Sequence, residues 1–448
     1  MSIISRGFSG RKTAESVKLP PGQYLTTDFP VLSAGPTPRI PLDRWEFTIR
    51  NENNALLRRW DWKSFRELPT ETPTVDLHCV TRWSKPGTTW EGVSLDALLA
   101  GLNPDASFVM AHSYGGYSTN IPLDDLKNEK AWIAFRFDGK DLAPEHGGPA
   151  RLLLPHLYLW KSAKWVRGLQ LMRHEKPGFL GRLRLSHLWR SMEGATILGR
   201  QIRWRVGTVV DLHDETATAR TLTVEVPEWP GHLAGQRVEV RLTAADGYSA
   251  VRSYSIASAP NSEGRVQITV ERLPNDEVSP YLTQVIGYGD HLELRGPIGG
   301  WFVWRPEQTE PIQLIAGGSG IVPLTAMIRS RMAAGRKSQF RLLYSVCEPE
   351  AVFYKKELRA LAVNDFGVDI TYVYTRKVPL GWPRPAGRID AMLIATATWP
   401  FALAPTCYVC GPTLFVESVN EFLTASGHDR NRIKTERFGA TGGSTERR

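Results

Sequence analysis

The chain is 448 residues long, with a formal net charge of +9, 42% hydrophobic and 23% charged residues. Both fractions are ordinary for globular protein, and the length suggests about three domains. No run approaches the ~18 consecutive apolar residues of a membrane span, and four cysteines are too few for a disulfide framework.

Residues 1–40 are rich in Pro, Gly and Ser and read as an extended arm. They lack the apolar stretch of a secretory signal, so a cytoplasmic location is expected. From residue 41, strand-like runs (45–49, 74–81, 108–111, 132–137, 152–154) mix with helical ones (61–68, 95–101), an α+β pattern that fills a first domain to residue 185. Lys and Arg crowd residues 151–190, yet no nucleic-acid signature accompanies them. Neither nucleic acid nor a membrane is an expected partner, and a small-molecule substrate is. Residues 186–202 read as a linker. From 203 to 305, alternating segments at 221–226, 237–242 and 266–271 between turn clusters predict an antiparallel all-β domain. From 306 to 440, strands (312–316, 341–346, 369–374, 407–409) alternate with helices (323–334, 352–361, 389–395, 414–426), which predicts an α/β domain with a parallel sheet. Residues 441–448 read as a flexible tail.

The C-terminal half carries the first chemical motifs. Arg252-Ser253-Tyr254-Ser255 lies within a strand, whose alternation puts Arg252 and Tyr254 on one side and Ser253 and Ser255 on the other. A cation, an aromatic ring and hydroxyls are what a flavin and its pyrophosphate require. Val278-Ser279 sits where a helix can begin, offering N–H groups and a hydroxyl to a phosphate. Next, a strand runs into Gly317-Gly318-Ser319-Gly320 and then a helix, the phosphate-cradling unit of dinucleotide sites. Cys407-Tyr408-Val409-Cys410 has no second Cys or His pair at zinc spacing. Cys407 therefore reads as core, and Cys410 as a group at the C-terminal edge of its strand, followed by Gly411-Pro412.

These segments, in this order, resemble the ferredoxin–NADP⁺ reductase superfamily over residues 203–438. The resemblance implies an FAD-binding β-barrel followed by an NAD(P)-binding domain. It places Arg252, Ser253, Tyr254, Ser255, Val278 and Ser279 at FAD. Gly317, Gly318, Gly320, Thr375, Arg376, Gly411 and Pro412 fall at the nicotinamide dinucleotide, Cys410 beside the nicotinamide and Phe438 against the flavin. Cys347 stands where NADPH-using relatives often carry arginine, which leans toward NADH; Arg376 leaves NADPH open. No plant-type ferredoxin cysteine spacing occurs, which excludes an iron–sulfur domain of that type.

In the N-terminal half, Cys79 is the only cysteine before Cys347. A thiolate is a soft ligand for a transition metal, and a nearby cation such as Arg82 favours the ionised form; a buried core cysteine is the plainer alternative. The segments 111–119, with His112 and Tyr117, and 146–151 are glycine-spaced polar loops suited to close approach of a bulky cofactor. Lys161, Ser162 and Lys164 add groups for a phosphate. The four segments in this order resemble the molybdopterin domain of the sulfite oxidase family over residues 28–175. By that resemblance Cys79 binds molybdenum. His78, Gly147, Arg151, Lys161, Ser162 and Lys164 surround the pterin and its phosphate, and Arg82 and Tyr117 stand on the catalytic side. The run Cys79-Val80-Thr81-Arg82-Trp83-Ser84 is closer to the methionine sulfoxide reductase catalytic subunits of that family than to its sulfite oxidases.

The fold class implied is thus multidomain: an α+β molybdopterin domain, an FAD barrel and an α/β NAD(P) domain. The cofactors are a molybdopterin-type molybdenum cofactor, FAD and NADH, with NADPH possible. Three functional readings stay open. In the first, electrons pass from NAD(P)H through FAD to molybdenum and reduce an S-oxide, an N-oxide or an oxyanion such as nitrate. In the second, a sulfite-type dehydrogenase runs toward NAD⁺. In the third, the flavin module serves a separate acceptor protein and the N-terminal domain only docks.

Overall fold

The computed structural model describes residues 3–9, 24–26, 29–31, 36–79, 83–102, 105–176, 196–197, 200–201, 203–260, 263–273, 276–335, 338–365 and 367–438. Arg82, most of the predicted linker and the predicted tail lie outside the described residues. The chain divides into two compact units. Thr37–Gln201 and the stretch ending at Phe29 form one; Ile202–Arg448 and the first residues of the chain form the other.

The first unit holds two large sheets and, among the described residues, the two-stranded pair Thr196–Ile197 and Arg200–Gln201. A five-stranded sheet runs in the order Leu56–Asp61, Glu46–Arg50, Val166–Met172, Phe108–Ser113, Ser118–Pro122. The other is organised by the long strand Trp83–Ser94, which pairs antiparallel with Thr74–His78 and with Trp132–Phe137; Arg151–Leu153 extends the row. Trp45, Phe47, Ile49, Val109, Ile133, Leu152 and Leu169 form one fully buried core cluster. The short helix Trp62–Arg66 starts where expected, because Asp61 and Ser64 cap each other reciprocally, Ser64 N to Asp61 Oδ1 at 2.8 Å and Asp61 N to Ser64 Oγ at 3.1 Å. Trp83–Ser94 is a strand the sequence hides behind Pro86, Gly87 and Gly92. Gly92 sits at a register shift where a Cβ would lie 2.7 Å from the Ile133 carbonyl oxygen, so the bulge admits only glycine.

In the second unit six antiparallel strands run in the order Ser249–Ser255, Arg237–Thr243, His291–Ile298, Trp204–Thr216, Ala219–Glu225, Arg265–Glu271. A bridge between Ile256 and Ile268 brings the two ends together, which makes the sheet a barrel. The following lobe is a five-stranded all-parallel sheet: Val368–Tyr374, Phe340–Val346, Ile312–Gly317, Thr406–Pro412, Ile433–Phe438. Its inner strands are largely apolar and almost wholly buried because helices such as Ile321–Ala333 and Thr413–Ala425 cover the sheet. Arg329 ties lobe to barrel, donating to the Ala257 carbonyl (2.9 Å), Gln267 Oε1 (3.0 Å) and both Glu357 oxygens (2.8 and 2.6 Å).

The beginning of the arm departs from the expectation that residues 1–40 belong to the first domain. Residues 3–9 join the barrel unit instead. Phe8 is 7% exposed within the barrel's core cluster, and Ser5 exchanges hydrogen bonds with Thr243. A lone Phe in a Gly/Ser context gives no periodic signal, so the slot that receives it is visible only in the folded chain.

Candidate functional site

In the first unit Cys79, Gly147, Arg151, Ser162 and Lys164 come together. Cys79 follows the strand Thr74–His78, is 3% exposed, and packs with Leu77, Trp83, Trp90, Trp132 and Leu153. Arg151 opens the strand Arg151–Leu153 and is 1% exposed. Its guanidinium donates to the carbonyls of His146 (2.9 Å), Ser162 (2.9 Å) and Leu152 (3.5 Å). Burial pulls Arg151 down to about 10, opposed by the nearby Cys79 sulfur, so it stays charged at neutral pH. A buried cation held by neutral carbonyls retains attraction for an anion.

The loops around it supply more such groups. Lys161 is 4% exposed, donates to Asn120 O (2.5 Å) and Oδ1 (3.2 Å), and is pushed down to about 8 by burial. Ser162 Oγ accepts from Leu154 N (3.0 Å), Lys164 Nζ donates to Glu145 O (2.7 Å), and Tyr117 Oη donates to Trp160 O (2.7 Å). Burial drives the Tyr117 phenol well above its usual range, which keeps it protonated. Gly147 has φ +112°, and a Cβ there would sit 3.1 Å from both Arg151 Cβ and Lys164 Cα, so glycine lets these two cationic segments approach. His78 ends the strand Thr74–His78. Its Nδ1 pairs with Ser84 Oγ (2.8 Å), and its ring lines an open groove with Asp76, Lys130 and His156.

One residue in this cluster escaped sequence reasoning although it adjoins Gly147. His146 is 9% exposed, and its Nδ1 has no hydrogen-bond partner among the described residues. Burial, with Lys164 and Arg151 nearby, depresses it to about 3, and its ring stacks on Phe29 at 4.1 Å and 9°. A neutral imidazole with an orphaned nitrogen beside Arg151 and Lys164 is a group prepared for a polar ligand. The signal was its place in the loop His146-Gly147-Gly148-Pro149-Ala150-Arg151. These groups fit a bulky anionic cofactor; no set of three or more His, Cys, Asp or Glu among the described residues forms a conventional metal site.

In the second unit, the strand Ser249–Ser255 carries Arg252 and Tyr254 half-buried on one side, with Ser253 exposed. Arg252 Nε meets Asp276 Oδ1 (2.8 Å), its Nη1 donates to Val251 O (3.0 Å), and its Nη2 lies 3.5 Å from Glu277. Ser279, in the helix Val278–Pro280, donates its N–H to Asp276 Oδ2 (2.8 Å), and its Oγ accepts from Leu273 N (3.1 Å). The Ser279 amide, read from sequence as a phosphate donor, is therefore engaged by the chain's own carboxylate. Asp276 and Glu277 went unnoticed because carboxylates beside an anion site run against expectation.

The glycine turn lies at the C-terminal edge of the parallel sheet, where Ile312–Gly317 and Thr406–Pro412 adjoin and the chain order reverses, the crevice in which such sheets bind ligands. A Cβ on Gly317 would lie 2.8 Å from Phe415, and one on Gly320 would lie 2.1 Å from Cys410 O. At Gly318, with φ +54°, a Cβ would meet nothing within 4 Å, which leaves the turn open on that side. Gly411 packs against Gly317, and Phe438, 36% exposed, pairs in register with Pro412. Thr375 and Arg376 follow the strand Val368–Tyr374; their N–H groups donate to Val346 O (2.9 Å) and Cys347 O (3.0 Å), and Arg376 and Cys347 are both exposed. Cys410 is 1% exposed and its thiol is raised well above the usual range by burial and then by Glu436, its register partner on the next strand. Glu436 Oε1 lies 3.6 Å from Arg237, and Oε2 is buried with no hydrogen-bond partner among the described residues. Sequence reading did not single out Glu436, which the structure places in the strand Ile433–Phe438.

Residues 34–180 match the family described as oxidoreductase molybdopterin binding domain, 208–303 the oxidoreductase FAD-binding domain and 314–421 the oxidoreductase NAD-binding domain. The uncharacterized oxidoreductase YuiH of Bacillus subtilis is 38% identical over 174 residues, 38% of this chain and 86% of that protein. The glycine betaine monooxygenase reductase subunit of Chromohalobacter salexigens is 28% identical over 214 residues, 47% of this chain and 56% of that protein. NADH-cytochrome b5 reductase 1 of Aspergillus oryzae is 30% identical over 188 residues, 41% of this chain and 63% of that protein. The chain thus spans less than two thirds of these two reductases. Among solved structures, the flavohaem-like FAD/NAD binding domain of nitric oxide dioxygenase from Vibrio cholerae covers 52% of this chain and 98% of that one, at 24% identity and a TM-score of 0.48. With its FAD- and NAD-binding domains on the same polypeptide, the chain belongs to the molybdopterin-binding oxidoreductase family and is an enzyme using molybdenum cofactor, FAD and nicotinamide dinucleotide.

Proposed function

We propose that this enzyme carries electrons from NADH through FAD to molybdenum and uses them to remove oxygen from a small oxidised substrate, an S-oxide, an N-oxide or an oxyanion such as nitrate. Flavin splits a hydride into single electrons, and pterin-bound molybdenum supplies oxygen-atom transfer. The observation that carries the N-terminal reading is Arg151, a buried guanidinium that donates to the carbonyls of His146, Ser162 and Leu152 and lies close to the buried Cys79 sulfur. Cys79 is assigned as the metal ligand. Arg151, Lys161, Ser162 and Lys164 hold the pterin and its phosphate, with Gly147 giving clearance and His146 presenting Nδ1. Tyr117 stays a hydrogen-bond donor at the edge of that site, and His78 lines the groove by which a substrate approaches.

On the flavin side, Arg252 and Ser279 are assigned to the pyrophosphate and Tyr254 to the ring system. Ser253 and Ser255 flank it, and Val278 seats the helix that carries Ser279. Gly317, Gly318, Gly320, Gly411 and Pro412 give the dinucleotide close approach, with Thr375 and Arg376 at its adenosine end. Cys410 faces the nicotinamide, and Phe438 covers the flavin. The exposed Cys347, in place of a cation, favours NADH.

The test is NADH oxidation coupled to a panel of sulfoxides, N-oxides and oxyanions. The proposal requires that Cys79→Ser abolish substrate-dependent turnover while FAD stays bound and NADH still reduces it. Unchanged substrate turnover in that variant refutes the reading. Formation of NADH from NAD⁺ with sulfite would reverse the proposed direction.

A further inference from the structure

We infer that the N-terminal turn, residues 5–8, is a working part of the flavin site and orients the Arg252 guanidinium for the flavin phosphates through Tyr248 and Glu277. The inference rests on the assignment of Arg252 to those phosphates made above.

The turn is built and fastened by its own residues. Phe8 N donates to Ser5 O (3.0 Å), closing four residues around Gly7, whose φ of +79° is the third-position geometry that favours glycine. Ser5 N donates to Thr243 O (2.7 Å) and Thr243 N donates back to Ser5 Oγ (3.1 Å), so the turn is hooked to the end of a barrel strand. Tyr281 Oη donates to Arg6 O (2.9 Å). These contacts deliver Phe8 between two tyrosines, with its ring 6.5 Å from Tyr248 at 22° and 5.7 Å from Tyr281 at 79°.

Tyr248 is the link to the cofactor side. Its Oη lies 2.9 Å from both oxygens of Glu277. Burial and then Glu277 itself push that phenol up to about 12, so it remains a donor at neutral pH. Glu277 stands 3.5 Å from Arg252 Nη2, while Asp276 grips Nε at 2.8 Å. A guanidinium is a planar fork, and its aim is decided by which donors its partners hold. Two carboxylates beside a phosphate site would otherwise draw the fork onto themselves. With Glu277 tethered by Tyr248, and Tyr248 seated against Phe8, the fork keeps one orientation before flavin arrives. Preorganisation of this kind lowers the cost of binding without adding a contact to the ligand.

The experiment is a double-mutant cycle on the full-length protein stripped of flavin, read as the dissociation constant for FAD by fluorescence quenching. Phe8→Ala is expected to weaken FAD binding by about tenfold, the effect of losing roughly one well-made polar interaction. In an Arg252→Ala background the same change should matter less than about twofold, because the residue it acts through is gone. Tyr248→Phe keeps the packing and removes only the hydroxyl, so it repeats the cycle should Phe8→Ala fail to fold; it is expected to show the same dependence on Arg252. An equal loss in both backgrounds, or no loss from either Phe8→Ala or Tyr248→Phe, overturns the inference. If instead the parent protein binds no FAD, or Arg252→Ala leaves its affinity unchanged, it is the underlying flavin assignment that fails.

Discussion

Replacing Lys161 with methionine should make the cofactor-free first unit more stable, although it deletes two hydrogen bonds. The lysine is 4% exposed, and burial lowers its folded pKa from 10.5 to about 8. An unfolded lysine keeps its proton to about 10.4, so between pH 8 and 10.5 the unfolded chain binds more protons than the folded one. Stability therefore rises with pH through that window and stays at its lower level below it. At about 1.4 kcal/mol per unit, the charged lysine costs the fold about 3 kcal/mol at pH 7. Methionine recovers that cost but leaves Asn120 O and Oδ1 without this donor, an offset of about 1 kcal/mol. The net gain of about 2 kcal/mol corresponds to about 4–8 °C in Tm for a unit of this size. Scanning calorimetry of the cofactor-free protein from pH 7 to 10 reads it directly. The parent transition should climb above pH 8, and Lys161→Met should start higher at pH 7 and stay flat. A parent Tm that is level from pH 8 to 10, or a variant less stable at pH 7, refutes the reasoning. The same variant should lose molybdopterin on purification, because a buried ammonium kept against its own cost is useful only to an anion.

Other outcomes follow from the same site. His146, depressed to about 3 from 6.5, is neutral when folded, so its contribution is present above pH 6.5 and is lost as pH falls toward 3. The swing is about 5 kcal/mol, and His146→Gln should move the acid-unfolding midpoint of the cofactor-free protein to lower pH. Arg151→Met should be near neutral for that protein's stability, since a buried charge is exchanged for an apolar side chain, while molybdenum content by metal analysis falls to background. Gly320→Ala places a Cβ 2.1 Å from Cys410 O, a clash between two backbones; NADH should no longer reduce the flavin, while dithionite still does. Cys347→Arg should improve kcat/KM for NADPH by about tenfold through a charge-assisted contact to the 2′-phosphate, with little change for NADH.

How much of this was legible depended on whether a signal is local. The nucleotide lobe was readable because its inner strands are continuous apolar runs, each followed by a helix, and because the glycine turn falls at a strand end. The predicted helix at 323 in fact begins at Ile321, with Pro323 in the first turn where its missing N–H costs nothing. In the first unit, Val166–Met172 was not legible because its partners, Glu46–Arg50 and Phe108–Ser113, lie far away in sequence, and Trp83–Ser94, although it pairs with the neighbouring Thr74–His78, was hidden by Pro86, Gly87 and Gly92. Arg151, Lys161 and Lys164 came from the resemblance of their segments to the sulfite oxidase family, but nothing in the sequence tells a buried cation from a surface one.

The residues missed share a physical character. His146, Asp276, Glu277 and Glu436 matter through what is near them in space, and each looks ordinary or even wrong in its local run. Two acids before Val278-Ser279 argue against an anion site until Tyr248 and Arg252 are seen to hold them. Glu436 is one charge in a polar run until the parallel register sets it beside Cys410, with an oxygen that has no hydrogen-bond partner among the described residues. Residue 8 is the extreme case, 240 positions from the tyrosine it stacks on. A motif gives the groups that touch a cofactor; the groups that aim them come from the fold, and mutating the second kind should change affinity only while the first kind is present.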